Sequence, residues 1–204
     1  MKIIAMPGVG FQSDISTYEN FVKKIGDGLG CEAEMFYWKH DREIPDIKLP
    51  YVDIRKFGYE VILDFQQVIL HAFDMEVPKA DYYIGHSAGS ILALAQKDSS
   101  SVIFGSPAIL VECISKSKSN ESDFNAKLLR SIENHRNILN IINKYDQLAY
   151  YLDLPNVENY VFGGPWYIPN TYNPVYAHSC YWNDQNVINL IVQTIDKWES
   201  QKSS

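Results

Sequence analysis

Apolar residues recur along this chain in two alternating rhythms. Short continuous runs, suited to strands covered on both faces, are separated by stretches in which apolar positions repeat every three or four residues, as on one face of a helix. Lys2–Met6 is the first run, halted by Pro7-Gly8. Phe21, Val22, Ile25 and Leu29 then share a helical face. Ser16-Thr17-Tyr18-Glu19 has the capping-box spacing for that helix, and the glycines at 26, 28 and 30 close it. Cys31–Trp38 predicts a second strand, and residues 39–57 a polar, proline-containing connection. Val61, Ile62, Phe65, Val68, Ile69 and Ala72 predict a helix over 58–73. Strand Tyr82–Ile84, helix Ser90–Gln96 and strand Ser101–Phe104 follow. Beyond the polar stretch Ser115–Asp123, which reads as a solvated loop, come helix Phe124–His135 and strands Ile138–Ile142 and Tyr160–Phe162. Val187, Ile188, Ile191, Ile195 and Trp198 predict a closing helix capped by Asn183 or Asp184, with Gln201–Ser204 frayed.

Strand and helix alternating from end to end predict an α/β class protein: a three-layer α/β/α sandwich around a mostly parallel sheet of about five or six strands. The 204 residues are expected to form one domain, with no separate cap domain. A composition of 46% hydrophobic and 21% charged residues excludes disordered and fibrous readings. Against 25 acidic side chains stand 18 basic ones, a net charge of −7, which argues against nucleic acid as a partner because phosphate binding needs surplus Lys and Arg. Three widely spaced cysteines, Cys31, Cys113 and Cys180, suggest neither a disulfide framework nor a zinc site. A reducing, cytoplasmic location is expected. Residues 1–10 lack the apolar length of a signal peptide, and no stretch predicts a transmembrane segment. The sequence leaves oligomeric state open, with a monomer compatible.

The sharpest local feature is Gly85-His86-Ser87-Ala88-Gly89, a G-x-S-x-G placed between a predicted strand and a predicted helix. A serine on so tight a turn sits in a strained conformation, and only small residues two positions away let the chain pack that closely. The turn lifts the hydroxyl above the sheet's C-terminal edge, where the helix start supplies N–H groups for an oxyanion. A serine hydroxyl is a weak nucleophile, so it needs a base and a group to orient that base, here in the chain order Ser, acid, His. Asp146, just beyond strand Ile138–Ile142, and His178, between the last strand and the closing helix, stand where that order requires. Asp153 is a competing acid. His40, His71 and His135 read as polar surface, and His86 as a packing or orienting residue, since adjacent side chains on such a turn diverge.

The loop Pro7-Gly8-Val9-Gly10-Phe11 is the second feature with chemistry in it. A backbone N–H from such a loop can join that of Ala88, the residue after the serine, to hold an oxyanion. The rival reading is dinucleotide binding, but Gly8-Val9-Gly10-Phe11-Gln12-Ser13 lacks the third glycine of G-x-G-x-x-G, and the predicted helix starts too late for the motif to open it.

These residues together resemble the α/β-hydrolase superfamily, in particular its small capless lipases and esterases, in element order over nearly the whole chain. The resemblance implies a minimal α/β-hydrolase fold with Ser87 as nucleophile, His178 as general base and acid, Asp146 as its orienter, and Val9 and Ala88 as oxyanion donors. A narrower likeness is to the cutinase and phage lysin esterase branch, in Gly105-Ser106-Pro107 after the strand that follows the nucleophile helix and in Tyr181 close behind His178. Pro7 stands where that family's oxyanion loop usually carries His.

The implied activity is a serine carboxylic-ester hydrolase acting through an acyl-enzyme, with no metal and no organic cofactor. The expected partner is a small-molecule or lipid-like ester. The aromatic stretch Phe162–Trp182 leads into the base, so Trp166 and Tyr181 are expected to contact the substrate, and 39–57, 110–123 or the aromatic loop would supply any lid. A binding protein on the same fold, or a thioesterase, acyltransferase or peptidase using the same triad, are the alternatives.

Overall fold

In a computed structural model, residues 1–8, 15–38, 75–107, 122–146, 149–163 and 174–202 are described. Six strands form one sheet: β1 (Lys2–Met6), β2 (Glu32–Met35), β3 (Tyr82–His86), β4 (Ser100–Phe104), β5 (Asn137–Asn143) and β6 (Val157–Phe162). Their order is β2-β1-β3-β4-β5-β6, and every neighbouring pair is parallel. The described helices are α1 (Ile15–Leu29), α2 (Ala88–Ala95), α3 (Ser122–Glu133), α4 (Pro174–Ser179) and α5 (Gln185–Lys202), with a 3₁₀ turn at Cys180–Asn183.

Parallel strands need crossover helices, which cover both faces of the sheet, and the central strands are apolar on both sides accordingly. Alternate residues divide between two cores. Ile3, Ala5, Tyr82, Ile84, Val102, Phe104, Leu139 and Ile141 pack with α1 and α5, whereas Ile4, Met6, Tyr83, Ile103 and Ile138 pack with α2 and α3. This is the three-layer α/β/α arrangement anticipated from the sequence. On α1 the residues Tyr18, Phe21, Val22 and Ile25 are buried, one face at helical spacing. Helix α2 (AGSILALA) is apolar nearly all round and buried over Ala88–Leu94, so it is enclosed rather than amphipathic.

The boundaries moved in ways that matter locally. Helix α1 begins at Ile15, so Ser16 stands inside the first turn and is not its cap. Helix α2 starts at Ala88 rather than Ser90, directly after Ser87. Strand β6 starts at Val157, earlier than Tyr160. Asp184 caps α5, its Oδ1 accepting the N–H of Asn186 at 2.8 Å, and the helix continues to Lys202 instead of fraying at Gln201. The predicted helix 58–73 and the connection 39–57 lie outside the described residues.

The strand order positions the site. From β1 the chain steps outward to β2, then returns to β3 on the other side of β1, so connections leave the ends of β1 and β3 in opposite directions. In open α/β sheets that divergence opens a crevice at the C-terminal edge. The register places Met6 beside Gly85 and His86 beside Phe104, so the segments after β1, β3 and β4 emerge side by side.

Candidate active site

Ser87 joins β3 directly to α2 with φ 52° and ψ −125°, a conformation costing about 1–3 kcal/mol for a side-chain-bearing residue. Its neighbours impose it. A Cβ on Gly85 would lie 2.5 Å from Ser90 Cα, and one on Gly89 would lie 2.2 Å from the Met6 carbonyl oxygen. Only glycine fits at either place. The Ser87 N–H donates to the Phe104 carbonyl at 3.1 Å, and its own carbonyl accepts both the N–H and the hydroxyl of Ser90, at 3.0 and 2.5 Å. Ser90 Oγ also meets Ser106 Oγ at 2.8 Å, fastening the turn to the segment after β4. The whole turn is buried, Ser87 being 4% exposed.

The loop after β1 runs beside the serine. A Cβ on Gly8 would be 2.7 Å from Ser87 Cβ and 3.2 Å from Ser87 Oγ, so the backbone of this loop approaches the hydroxyl closely. Val9 lies outside the described residues. Ala88 is the first residue of α2, and its N–H therefore has no acceptor within the helix.

Asp146 and His178 meet at the same edge. Beyond β5 the chain turns back, Asp146 N–H donating to the Asn143 carbonyl at 2.9 Å and Tyr145 N–H to Asn143 Oδ1 at 3.1 Å. His178, expected in a loop, lies on the short helix α4. Its Nδ1 donates to Asp146, 2.9 Å from Oδ2 and 3.1 Å from Oδ1. The carboxylate side chain is 1% exposed and the imidazole 7%. With the Nδ1 proton directed at a carboxylate, Nε2 is the basic nitrogen of the ring.

His86, the residue before Ser87, ties His178 to the turn. Its Nε2–H donates to the His178 carbonyl at 2.6 Å, and the two rings lie 4.7 Å apart. Burial, and then the neighbouring His178, pull its pKa down to about 3, so it stays neutral beside the His178 ring. Gly105 completes the packing with φ +57°: a Cβ there would sit 3.0 Å from His178 Cε1 and 3.1 Å from Asp146 Oδ2.

Two sequence expectations give way here. Tyr181, expected on the substrate wall, is wholly buried behind Asp146, to which its hydroxyl donates at 2.9 Å. His135, expected at the surface, is 3% exposed and donates from Nδ1 to the Ser131 carbonyl at 2.7 Å. Asp153 is exposed, and Asp146 holds the position facing His178. Trp166, His40 and His71 lie outside the described residues, as do the lid candidates 39–57 and most of 110–123. Sequence reasoning missed Asn143, whose side chain shapes the acid turn and also donates to the Ala177 carbonyl at 3.1 Å. An Asn at a strand end is too common to have signalled this.

No family model and no curated protein matches the chain. Among solved structures it is similar to one from Lactobacillus plantarum WCFS1 named "putative cell surface hydrolase", with a TM-score of 0.45, 11% identity, and coverage of 98% of this chain and 91% of that one.

Among the described residues, no group of three or more His, Cys, Asp and Glu is placed to hold a metal ion, and no helix is long and apolar enough to cross a membrane. A groove of about 310 Å³ lined by Glu19, Lys23, Asp27, Glu34 and Tyr37 lies between α1 and β2, on the far side of β1 from Ser87.

Proposed function

We propose that this protein is a serine hydrolase that cleaves carboxylic esters through an acyl-enzyme. The observation that carries the reading is the strained Ser87 between β3 and α2, set at the same sheet edge as a buried His178 whose Nδ1 is committed to Asp146. Strain held in place by two obligatory glycines has no evident structural use, and it is what presenting a hydroxyl at a strand-to-helix turn requires.

In this mechanism Ser87 Oγ attacks the ester carbonyl while His178 Nε2 takes its proton. Asp146 holds the ring and offsets the charge of the imidazolium. The tetrahedral anion is held by the N–H of Ala88, with the N–H of Val9 as the second donor. His178 then returns the proton to the leaving alkoxide, and water attacks the acyl-enzyme by the same route. Trp166 and the aromatic residues around it would line the acyl side of the site.

The test is hydrolysis of p-nitrophenyl esters of increasing chain length by the wild type and by Ser87→Ala. Turnover that disappears in the variant supports the reading, and the preferred chain length defines the acyl site. Turnover persisting in Ser87→Ala, or no turnover with any ester, counts against it.

A further inference from the structure

Resting on the triad reading above, we infer that Tyr181 is a positioning residue that fixes the rotation of the Asp146 carboxylate, and that Asn143 in turn fixes Tyr181. His178 alone does not select between the two oxygens of Asp146, because its Nδ1 lies at nearly equal distances, 2.9 and 3.1 Å, from both. The Tyr181 hydroxyl makes the selection by donating to Oδ2 at 2.9 Å.

A phenol has one proton to give. The Tyr181 oxygen accepts the backbone N–H of Asn143 at 2.9 Å, so its single proton is left for Asp146. Its ring cannot swing away. It is fully buried, 5.3 Å from the Phe104 ring and edge-on to Phe162 at 5.5 Å. The 3₁₀ turn carrying Tyr181 follows α4, the helix of His178, directly, and Asn143 Nδ2 draws that helix onto β5 through the Ala177 carbonyl at 3.1 Å. One strand end therefore shapes the acid turn, holds the base segment and orients the hydroxyl between them. A buried carboxylate needs donors to compensate for lost water, and the Tyr181 hydroxyl is one of them beside His178.

Among the described residues, His86, Cys180 and Tyr181 beside the pair each keep one charge state near neutral pH. His86, from the end of β3, is held down at about 3 by burial. Cys180 is pushed up to about 11, mainly by burial, with half-buried Asp184 nearby adding to the rise. Burial and then the Asp146 charge push the Tyr181 phenol far above its ordinary value, so it remains a donor.

The experiment compares Tyr181→Phe with Tyr82→Phe, Ser87→Ala and the wild type on p-nitrophenyl butyrate across pH. Tyr82 is the control: it also loses a hydroxyl that donates to a carboxylate, Glu199, but at the opposite end of β3. Tyr181→Phe is expected to lower kcat about tenfold with KM nearly unchanged. Its acid limb should move to higher pH, because more of the Asp146 charge then faces the imidazolium. Tyr82→Phe should do neither. An unaltered kcat and acid limb in Tyr181→Phe, or equal changes in Tyr82→Phe, overturns the inference while an inactive Ser87→Ala leaves the triad standing. An active Ser87→Ala overturns both. Should Tyr181→Phe fail to fold, proton NMR of the wild type decides: a slowly exchanging Tyr181 hydroxyl supports the arrangement, and one exchanging freely with water overturns it.

Discussion

His135 and His178 flank the same strand, β5, and are buried to nearly the same degree, at 3% and 5% exposure. They differ in what they face. At the N-terminal end of β5, His135 donates to the Ser131 carbonyl and lies 3.3 Å from that of Ala93, both neutral acceptors, and burial lowers its pKa. There it joins a polar seam in which Ser131 Oγ donates to the Leu94 carbonyl, and Asn156 bonds the carbonyls of Ile132 and His135. At the C-terminal end, His178 donates to a carboxylate and packs beside a strained serine turn. Burial thus does not distinguish a structural histidine from a candidate base. The charge of its partner does, together with the sheet edge on which it stands, because segments leaving several parallel strands converge only at the C-terminal edge.

The largest effect expected from breaking this contrast is at the serine itself. Ser87→Ala should reduce ester turnover by about 10⁶-fold, leaving the melting temperature near that of the wild type, because alanine keeps the Cβ that bears the positive-φ strain. Asp146→Asn comes next, with a loss in kcat of about 10⁴ at most, since the amide removes the charge and can impose the wrong tautomer on His178. Asp153→Asn, at the exposed alternative, should leave the rate unchanged, and an equal loss there would move the acid out of the Asp146 turn. Gly105→Ala should cost about 1 kcal/mol or more of stability and lower the rate together with it. Its new Cβ meets both His178 and Asp146 on a positive-φ backbone, and denaturant unfolding alongside ester kinetics checks both consequences.

The smallest effects on rate belong to the opposite edge. His135→Ala should destabilise the fold by about 1–3 kcal/mol in urea titration, yet leave kcat of the folded protein within about twofold. An order-of-magnitude fall in kcat would erase the distinction between the two histidines. Acid sensitivity sharpens it further. His86 and His135 have folded-state pKa values below the unfolded 6.5, so the unfolded chain binds more protons as the pH falls. The stability they contribute is complete above about pH 6.5 and declines below it, for His86 down to about pH 3, by about 1.4 kcal/mol per pH unit for each group still titrating. Melting temperatures measured from pH 7 to pH 4 should fall accordingly, and His135→Ala should flatten part of that slope.

Much of the candidate site was legible because its signals are local or follow chain order. Gly85 to Gly89 carry their own steric reason, and Asp146 and His178, which meet in the structure, each stand after a strand in the chain order Ser, acid, His. The parallel sheet was legible from the alternation of apolar runs with helical periodicity. What the sequence hid depends on residues distant along the chain. His135 sits among polar neighbours in sequence, and its burial comes from packing against the Ala93 carbonyl and Ser99, on and just after α2. Tyr181 looked like a pocket aromatic because nothing nearby in sequence shows its hydroxyl reaching Asn143 and Asp146. The early start of α2 at Ala88 was obscured because glycine and serine are weak helix formers, and here the enclosed position of the helix outweighs propensity.

The central claim, that Ser87 is an activated nucleophile, is tested most directly by covalent labelling with a fluorophosphonate followed by peptide mapping. The account predicts a single adduct on Ser87, absent in Ser87→Ala and strongly slowed in Asp146→Asn. A folded wild-type protein that takes no label, or one whose labelling survives in Ser87→Ala, would contradict it.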